Sequence, residues 1–289
     1  MSGYRPSPRP TFDHATALRR DDVVTYTWGD EGSGEVQDWI YVSSEKVHQL
    51  VFGLPPNGAF RHSDEFRTVF AADEVLYVLS GTMLLSDPVS GEAQRIETGE
   101  AAFFRRDTWH HAYASGPTAL RVLEMFAPPP AAGASGSYAR AQPLLERVRL
   151  SDDRHLGAFV PGSEPVSQDA IRVVRRPDLR WRLEPGAPGP IPVGLIVSTE
   201  HLSVAALDLD AGSRGAWHTH EGDECGYVLE GSLALAVDGP DARTWFELRP
   251  GDGWYVPEGV EHRYQAHEGA VRAIFAVAPS YTSAREDAS

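Results

Sequence analysis

Three residues in the run Gly212-Ser-Arg-Gly-Ala-Trp-His218-Thr-His220-Glu-Gly-Asp-Glu224 could hold a metal ion. Side chains two apart on extended backbone point to one face, so His218 and His220 aim their imidazoles at a common point. A turn after His220 brings Glu224 alongside. Two neutral nitrogens and one hard oxygen suit a divalent first-row transition metal. A fourth candidate, His262, closes the run Gly251-Asp-Gly-Trp-Tyr-Val-Pro257-Glu-Gly259-Val-Glu-His262. By the same alternation Tyr264 shares a face with His262 and lines the pocket, while Trp217 turns away from His218. Trp254 is a further pocket candidate. Cys225, the single cysteine, follows Glu224 directly and faces away from the metal as a buried structural thiol, and no intrachain disulfide can form.

The two runs read G-x5-H-x-H-x3-E-x6-G, ending at Gly231, and G-x5-P-x-G-x2-H. This pair of motifs resembles the two signatures of the cupin superfamily, with every position filled up to His262. One departure is Ala266, where the family's second motif often has Asn. The resemblance implies that His218, His220, Glu224 and His262 are the ligands of one divalent transition metal per chain. Iron(II) is favoured, and manganese(II), zinc(II), nickel(II) and cobalt(II) are compatible with three imidazoles and a carboxylate.

The same pattern occurs earlier in the chain. Glu74 to Gly81 spans seven positions, as does Glu224 to Gly231; Gly99 to His110 spans eleven, as does Gly251 to His262. This internal repeat makes the chain look like a bicupin. The first copy departs where chemistry needs it. Thr68 and Phe70 stand in place of the two histidines, and Arg105 and Asp107 replace the Pro and the second Gly. Only Glu74 and His110 survive of the four ligand positions, and two protein ligands rarely hold a transition metal. His62, Asp64 and His111 are nearby but lie off the pattern. The expected role of Glu74 and His110 is a buried hydrogen-bonded pair in a structural domain, or else a vestigial second site.

The elements that must position these residues are short. Runs rich in β-branched and aromatic residues at 23–28, 39–42, 47–54, 75–79, 82–85, 101–104 and 119–126 read as strands, punctuated by turn clusters at 30–34, 55–58 and 87–91. A second series begins near Ile171 and includes 194–198, 202–209, 226–229, 233–237, 253–256 and 271–277. Many short strands without helical periodicity predict an all-β chain of two tandem jelly-roll barrels, the fold that the resemblance also implies. The expected division is a mobile or surface-draped arm over 1–20 and a first cupin domain over 21–127. A linker over 128–165 with a short helix near 142–149 follows, then a second cupin domain over 166–280 and a tail over 281–289. Strand exchange between halves, common in bicupins, would move these boundaries.

A formal charge of −15 and a sequence without a membrane-length apolar run argue against nucleic-acid and membrane partners. The N-terminus lacks the apolar core of a signal peptide, so a cytoplasmic location is expected. The expected partners are a small-molecule substrate and a second copy of the chain in a homodimer. Four protein ligands on an ion that accepts five or six leave open positions. The favoured function is a dioxygenase acting on a small enolic, phenolic or hydroxy-carbonyl compound, with Glu224 and Tyr264 as catalytic residues. The alternatives are a redox-neutral isomerase, cyclase, dehydratase, lyase or decarboxylase, and a non-enzymatic small-molecule-binding protein.

Overall fold

A computed structural model describes residues 7–30, 34–61, 72–86, 93–105, 110–128, 171–184, 186–239 and 243–279. The expected helix near 142–149, nearly all of the linker and the C-terminal tail lie outside the described residues. So do His62, Asp64, Thr68, Phe70 and Asp107.

The described chain is built from strands, as its alternating apolar runs dictate. In the first half they are β1 (Thr16–Leu18), β2 (Val24–Asp30), β3 (Gly34–Ser43), β4 (His48–Leu54), β5 (Ala59–Phe60), β6 (Asp73–Ser80), β7 (Thr82–Ser86), β8 (Ala93–Glu97), β9 (Ala101–Phe104), β10 (His111–Ala114) and β11 (Leu120–Ala127). The second half holds β12 (Arg172–Val174), β13 (Arg180–Leu183), β14 (Pro192–Ser198), β15 (Ser203–Leu209), β16 (Asp223–Glu230), β17 (Leu233–Asp238), β18 (Arg243–Leu248), β19 (Gly253–Val256), β20 (His262–Ala266) and β21 (Val271–Ala278). Each half is a large sheet facing a small one. The large sheets run β12-β9-β6-β11-β4-β3-β2 and β1-β19-β16-β21-β15-β14-β13; the small ones run β5-β10-β7-β8 and β18-β17-β20.

Those sheet orders correct two expected boundaries. Residues 16–18 do not drape over the surface but form the edge strand of the second large sheet, with Ala17 opposite Trp254. Conversely, Arg172–Val174 pairs with β9 of the first. Side chains fix the arm. Arg19 Nη1 lies 2.9 Å from Asp252 Oδ2, and the Arg20 amide donates to Asp252 Oδ1 at 3.0 Å. Leu18 is buried. Such a short strand carries little periodicity, and its partner lies more than 200 residues away, so no local pattern announces it.

The alternation of each large strand sorts its residues into three cores. Leu76, Val78, Leu50, Phe52 and Val122 fill the first barrel; Val228, Leu207, Phe275 and Val277 fill the second. Opposite faces of the same strands form a third core between the barrels, with Val75, Tyr77, Val51 and Leu123 against Ile196, Val204, Cys225 and Ile274. Cys225 is buried there, on the face opposite Glu224. Each large aliphatic side chain so buried contributes roughly 1.5–3 kcal/mol. The interface is also tied by directed bonds: Tyr41 Oη donates to the Gly251 carbonyl at 2.6 Å, and Gln49 Nε2 to the Gly226 carbonyl at 2.9 Å. No helix among the described residues is long and apolar enough to cross a membrane.

Candidate metal centre

His218 and His220 are not on a regular strand. Their segment is extended and meets β20 through an isolated bridge: the His218 amide donates to the His262 carbonyl at 3.0 Å, and the His262 amide returns to His218 at 2.9 Å. The two imidazoles still point to one side, because extended backbone outside a ladder directs alternate side chains in the same way. His262 opens β20, and Tyr264 follows on the same inward face. Glu224 lies on β16, opposite Val256 and Val277. One ligand atom each from His218, His220, Glu224 and His262 lies within 4.8 Å of the others, and all four residues are buried.

Hydrogen bonds prepare the donors. His218 Nδ1 lies 3.0 Å from the Ala216 carbonyl and His262 Nδ1 lies 2.9 Å from the Val260 carbonyl. A carbonyl only accepts, so each Nδ1 carries the proton and each Nε2 keeps its lone pair for the centre. Glu224 is divided in the same way. Oε1 accepts from Trp254 Nε1 at 2.6 Å and from the Tyr264 hydroxyl. Oε2 faces the imidazoles, 3.0 Å from His220 Nε2 and 3.2 Å from His262 Nε2. Three imidazole nitrogens and one carboxylate oxygen, buried and oriented from behind, fit a divalent transition metal.

The electrostatics agree. Burial alone would raise the Glu224 carboxyl, but the imidazoles of His262 and His220 outweigh it and hold the group well below the ordinary range. Burial, then the neighbouring His262, pushes His218 down to about 3, so it is the neutral form that ligation requires. His262 is instead raised: burial opposes its charge, and Glu224 more than compensates.

One residue of the site, Glu184, has no signal in the sequence, and the role of another, Trp254, has none. Glu184, just past β13, places Oε1 3.2 Å from His218 Nδ1 with both side chains buried. It supplies a carboxylate behind a ligating imidazole, and no motif spacing marks it. Trp254 was recognised as a pocket candidate, but its part in holding Glu224 was not. Gly226 makes that contact feasible, since a Cβ there would sit 2.1 Å from the indole. Trp217 does turn outward, stacked under the guanidiniums of Arg243 and Arg263 at 4.8 and 4.6 Å.

In the first barrel, Glu74 is hydrogen-bonded to Glu124 of the neighbouring strand β11. The partner expected for it, His110, is buried with its ring 4.5 Å from that of Phe104. Arg105, which replaces the motif's proline, forms a buried ion pair with Asp73 at 3.1 Å. Asp73 in turn accepts from Thr199 of the second half at 2.6 Å. The departure from the motif thus serves the contact between barrels.

Two stacked jelly-roll barrels, one with a buried cluster of three histidines and a carboxylate that could hold a metal ion, define a tandem-barrel protein of the cupin class. The family comparison agrees. The cupin domain family matches residues 55–126 and 206–277, and the chain belongs to the cupin superfamily as a bicupin. No curated protein matches it significantly. Solved structures that resemble it include a Pseudomonas aeruginosa protein provisionally named glyoxylate-induced protein, at 16% identity and TM-score 0.65, covering 96% of this chain and 94% of that one. Another is oxalate decarboxylase from Lactobacillus farciminis, solved with formate, at 14% identity and TM-score 0.58, covering 93% and 86%. A third is oxalate decarboxylase from Bacillus subtilis, whose manganese(II) centres have been described, at 13% identity and TM-score 0.58, covering 95% and 79%. At these identities the likeness establishes the fold.

Proposed function

We propose that this chain is a metal-dependent dioxygenase. It would work at the C-terminal centre on a small compound with adjacent oxygen donors, enolic, phenolic or hydroxy-carbonyl, with iron(II) as the ion. The observation that carries the reading is the immobilised Glu224. Its Oε1 is held by Trp254 and Tyr264 while its Oε2 faces three imidazoles, so it is fixed as a ligand. A carboxylate so held, with its acidity increased, is a poor proton acceptor. The reading therefore favours a substrate whose own acidity lets it bind as an anion. Bound iron(II) would supply open positions for substrate and dioxygen. The residues of the chain then have separate tasks. His218, His220 and His262 offer neutral nitrogens, Glu224 offers one charged oxygen, and Tyr264 and Trp254 keep that oxygen aimed. Valine, leucine and phenylalanine side chains of the barrel exclude water. Tyr264 is on this view a positioning residue, since its hydroxyl is engaged by Glu224.

A redox-neutral reading rests on a different observation, the second buried carboxylate, Glu184, against His218. Manganese(II), named for the similar oxalate decarboxylase, would suit it. The deciding experiment loads metal-stripped protein with iron(II) or manganese(II) and follows oxygen uptake and substrate loss with catecholic, enolic and dicarboxylate compounds. Stoichiometric oxygen consumption with the iron form supports the dioxygenase. Turnover that persists under strict anaerobiosis overturns it in favour of the redox-neutral class.

A further inference from the structure

The interior of the first barrel is more polar than its lost metal motif explains. Three carboxyl residues stand on the inward face of its large sheet, on successive rungs. Glu74 shares a rung with Phe126 and His48; Glu124 lies on the next, between Leu76 and Leu50; Asp38 lies on the third, opposite Phe52. Their inward direction follows from the alternation, because Leu76, Val122, Leu50, Phe52, Val36 and Ile40 on the same faces form that barrel's core.

Register matching shows which of these groups are special to this barrel. Ser43 pairs with His48 as Ser198 pairs with Ser203, and Asp73 with Ala127 as Asp223 with Ala278. The second barrel then carries Val193 where the first has Asp38, Phe275 where it has Glu124, and Ser203 where it has His48. Two apolar positions and a hydroxyl have their counterparts in two carboxyls and an imidazole, in a setting where an unpaired charge costs several kcal/mol.

Two observations point to a ligand. His48 is 6% exposed, lies on that inward face, and its Nδ1 has no hydrogen-bond partner. Glu124 lies on the central strand of the sheet and keeps partial exposure, whereas its counterpart Phe275 is fully buried. The walls are aromatic. Trp28 and Phe60 meet edge to face at 4.7 Å, and Trp28 Nε1 donates to Asp38 at 2.7 Å.

We propose that the first barrel is a second ligand site, built from Asp38, Glu124, Glu74 and His48, and that it takes an organic ammonium compound, an amine or diamine. Carboxylates supply the counter-charge that a cation needs in an apolar interior, and aromatic faces add attraction. A metal ion fits poorly, because successive inward rungs are about 7 Å apart. Among the described residues, the C-terminal quartet alone brings three or more ligand atoms within 4.8 Å. The acidities of the carboxyls agree with this view. Burial raises Glu74 to about 7 and raises Asp38 and Glu124 well above the ordinary range, so the carboxyls hold protons that a bound cation would displace.

The test uses the full-length, metal-loaded protein at pH 8 and calorimetric titration with ethanolamine, putrescine and benzylamine, each against its neutral alcohol isostere. Expected is saturable 1:1 binding of at least one amine, at least about tenfold tighter than the isostere, with proton release seen as a buffer-dependent heat. Glu124→Gln and His48→Ser should each weaken it about tenfold or more, and His262→Ala, in the other barrel, should leave it unchanged. If Glu124→Gln fails to fold, Asp38→Asn and His48→Ser carry the same comparison. The proposal is overturned if no amine outbinds its isostere, if the first-barrel variants bind like wild type, if His262→Ala abolishes binding, or if manganese(II) loads two ions per chain.

Discussion

The two barrels share one set of strand registers and differ at a few inward positions, and those positions separate their chemistry. In the second barrel Gly226 faces Trp254 across β16 and β19; in the first, the matching pair is Leu76 and Ala102. Both pairs place one large and one small side chain in contact. Only the glycine–tryptophan arrangement puts an N–H beside the motif glutamate, where it fixes one carboxylate oxygen and frees the other for the imidazoles. In the first barrel the corresponding glutamate meets a second carboxyl, Glu124, instead. Neighbouring imidazoles lower the acid in one barrel, and burial raises it in the other. A fold repeated within one chain thus keeps its core and inverts its electrostatics through single side chains.

The largest expected effect separates the barrels by metal. His262→Ala should abolish metal binding and lower turnover at least about a hundredfold while circular dichroism stays that of the folded protein, because the apolar cores do not depend on the ion. Plasma mass spectrometry should find about one tightly held ion per wild-type chain. Two ions, or loss of metal on His110→Ala, would erase the distinction.

A smaller effect is expected from the residues behind the ligands. Trp254→Phe removes the indole donor to Glu224, and Glu184→Gln removes the charge beside His218. Each should weaken metal affinity about 10- to 100-fold without unfolding the chain. Competition with a chromogenic chelator measures this. Unchanged affinity in both would mean that the orientation of the ligands comes from the barrel walls alone.

The smallest effect is on stability and has a definite sign. Glu74 is raised to about 7, above its unfolded value, so between roughly pH 4.5 and 7 the native state binds a proton that the unfolded chain has released. This group therefore costs stability progressively as pH rises through that window. Relative to wild type, Glu74→Gln should gain of the order of 1–3 kcal/mol between pH 4 and pH 8 in denaturant titrations without added amine. A difference that stays flat with pH would falsify the raised acid and remove the contrast with Glu224.

Much of the fold and the geometric convergence of the second site was legible, for local reasons. Strands 101–104 and 253–256 fell where their apolar runs lie, and most others were correct within a few residues. Exposed or irregular strands were missed: β13 is exposed along its whole length, so no alternation marks it. His218, His220, Glu224 and His262 come together because their spacing on extended backbone settles their direction.

What the sequence by itself determined, then, is the repeat, the all-β class and the quartet, since all three are written in periodicities and short intervals. Tertiary structure alone decided that Thr16–Leu18 and Arg172–Val174 cross to the opposite sheet, that Glu184 stands behind His218, and that Glu124 rather than the expected partner is hydrogen-bonded to Glu74. Each of these joins residues far apart in the chain. Which distant side chains meet is fixed by sheet order and register, and these are set by the packing of whole faces, not by any local run of residues.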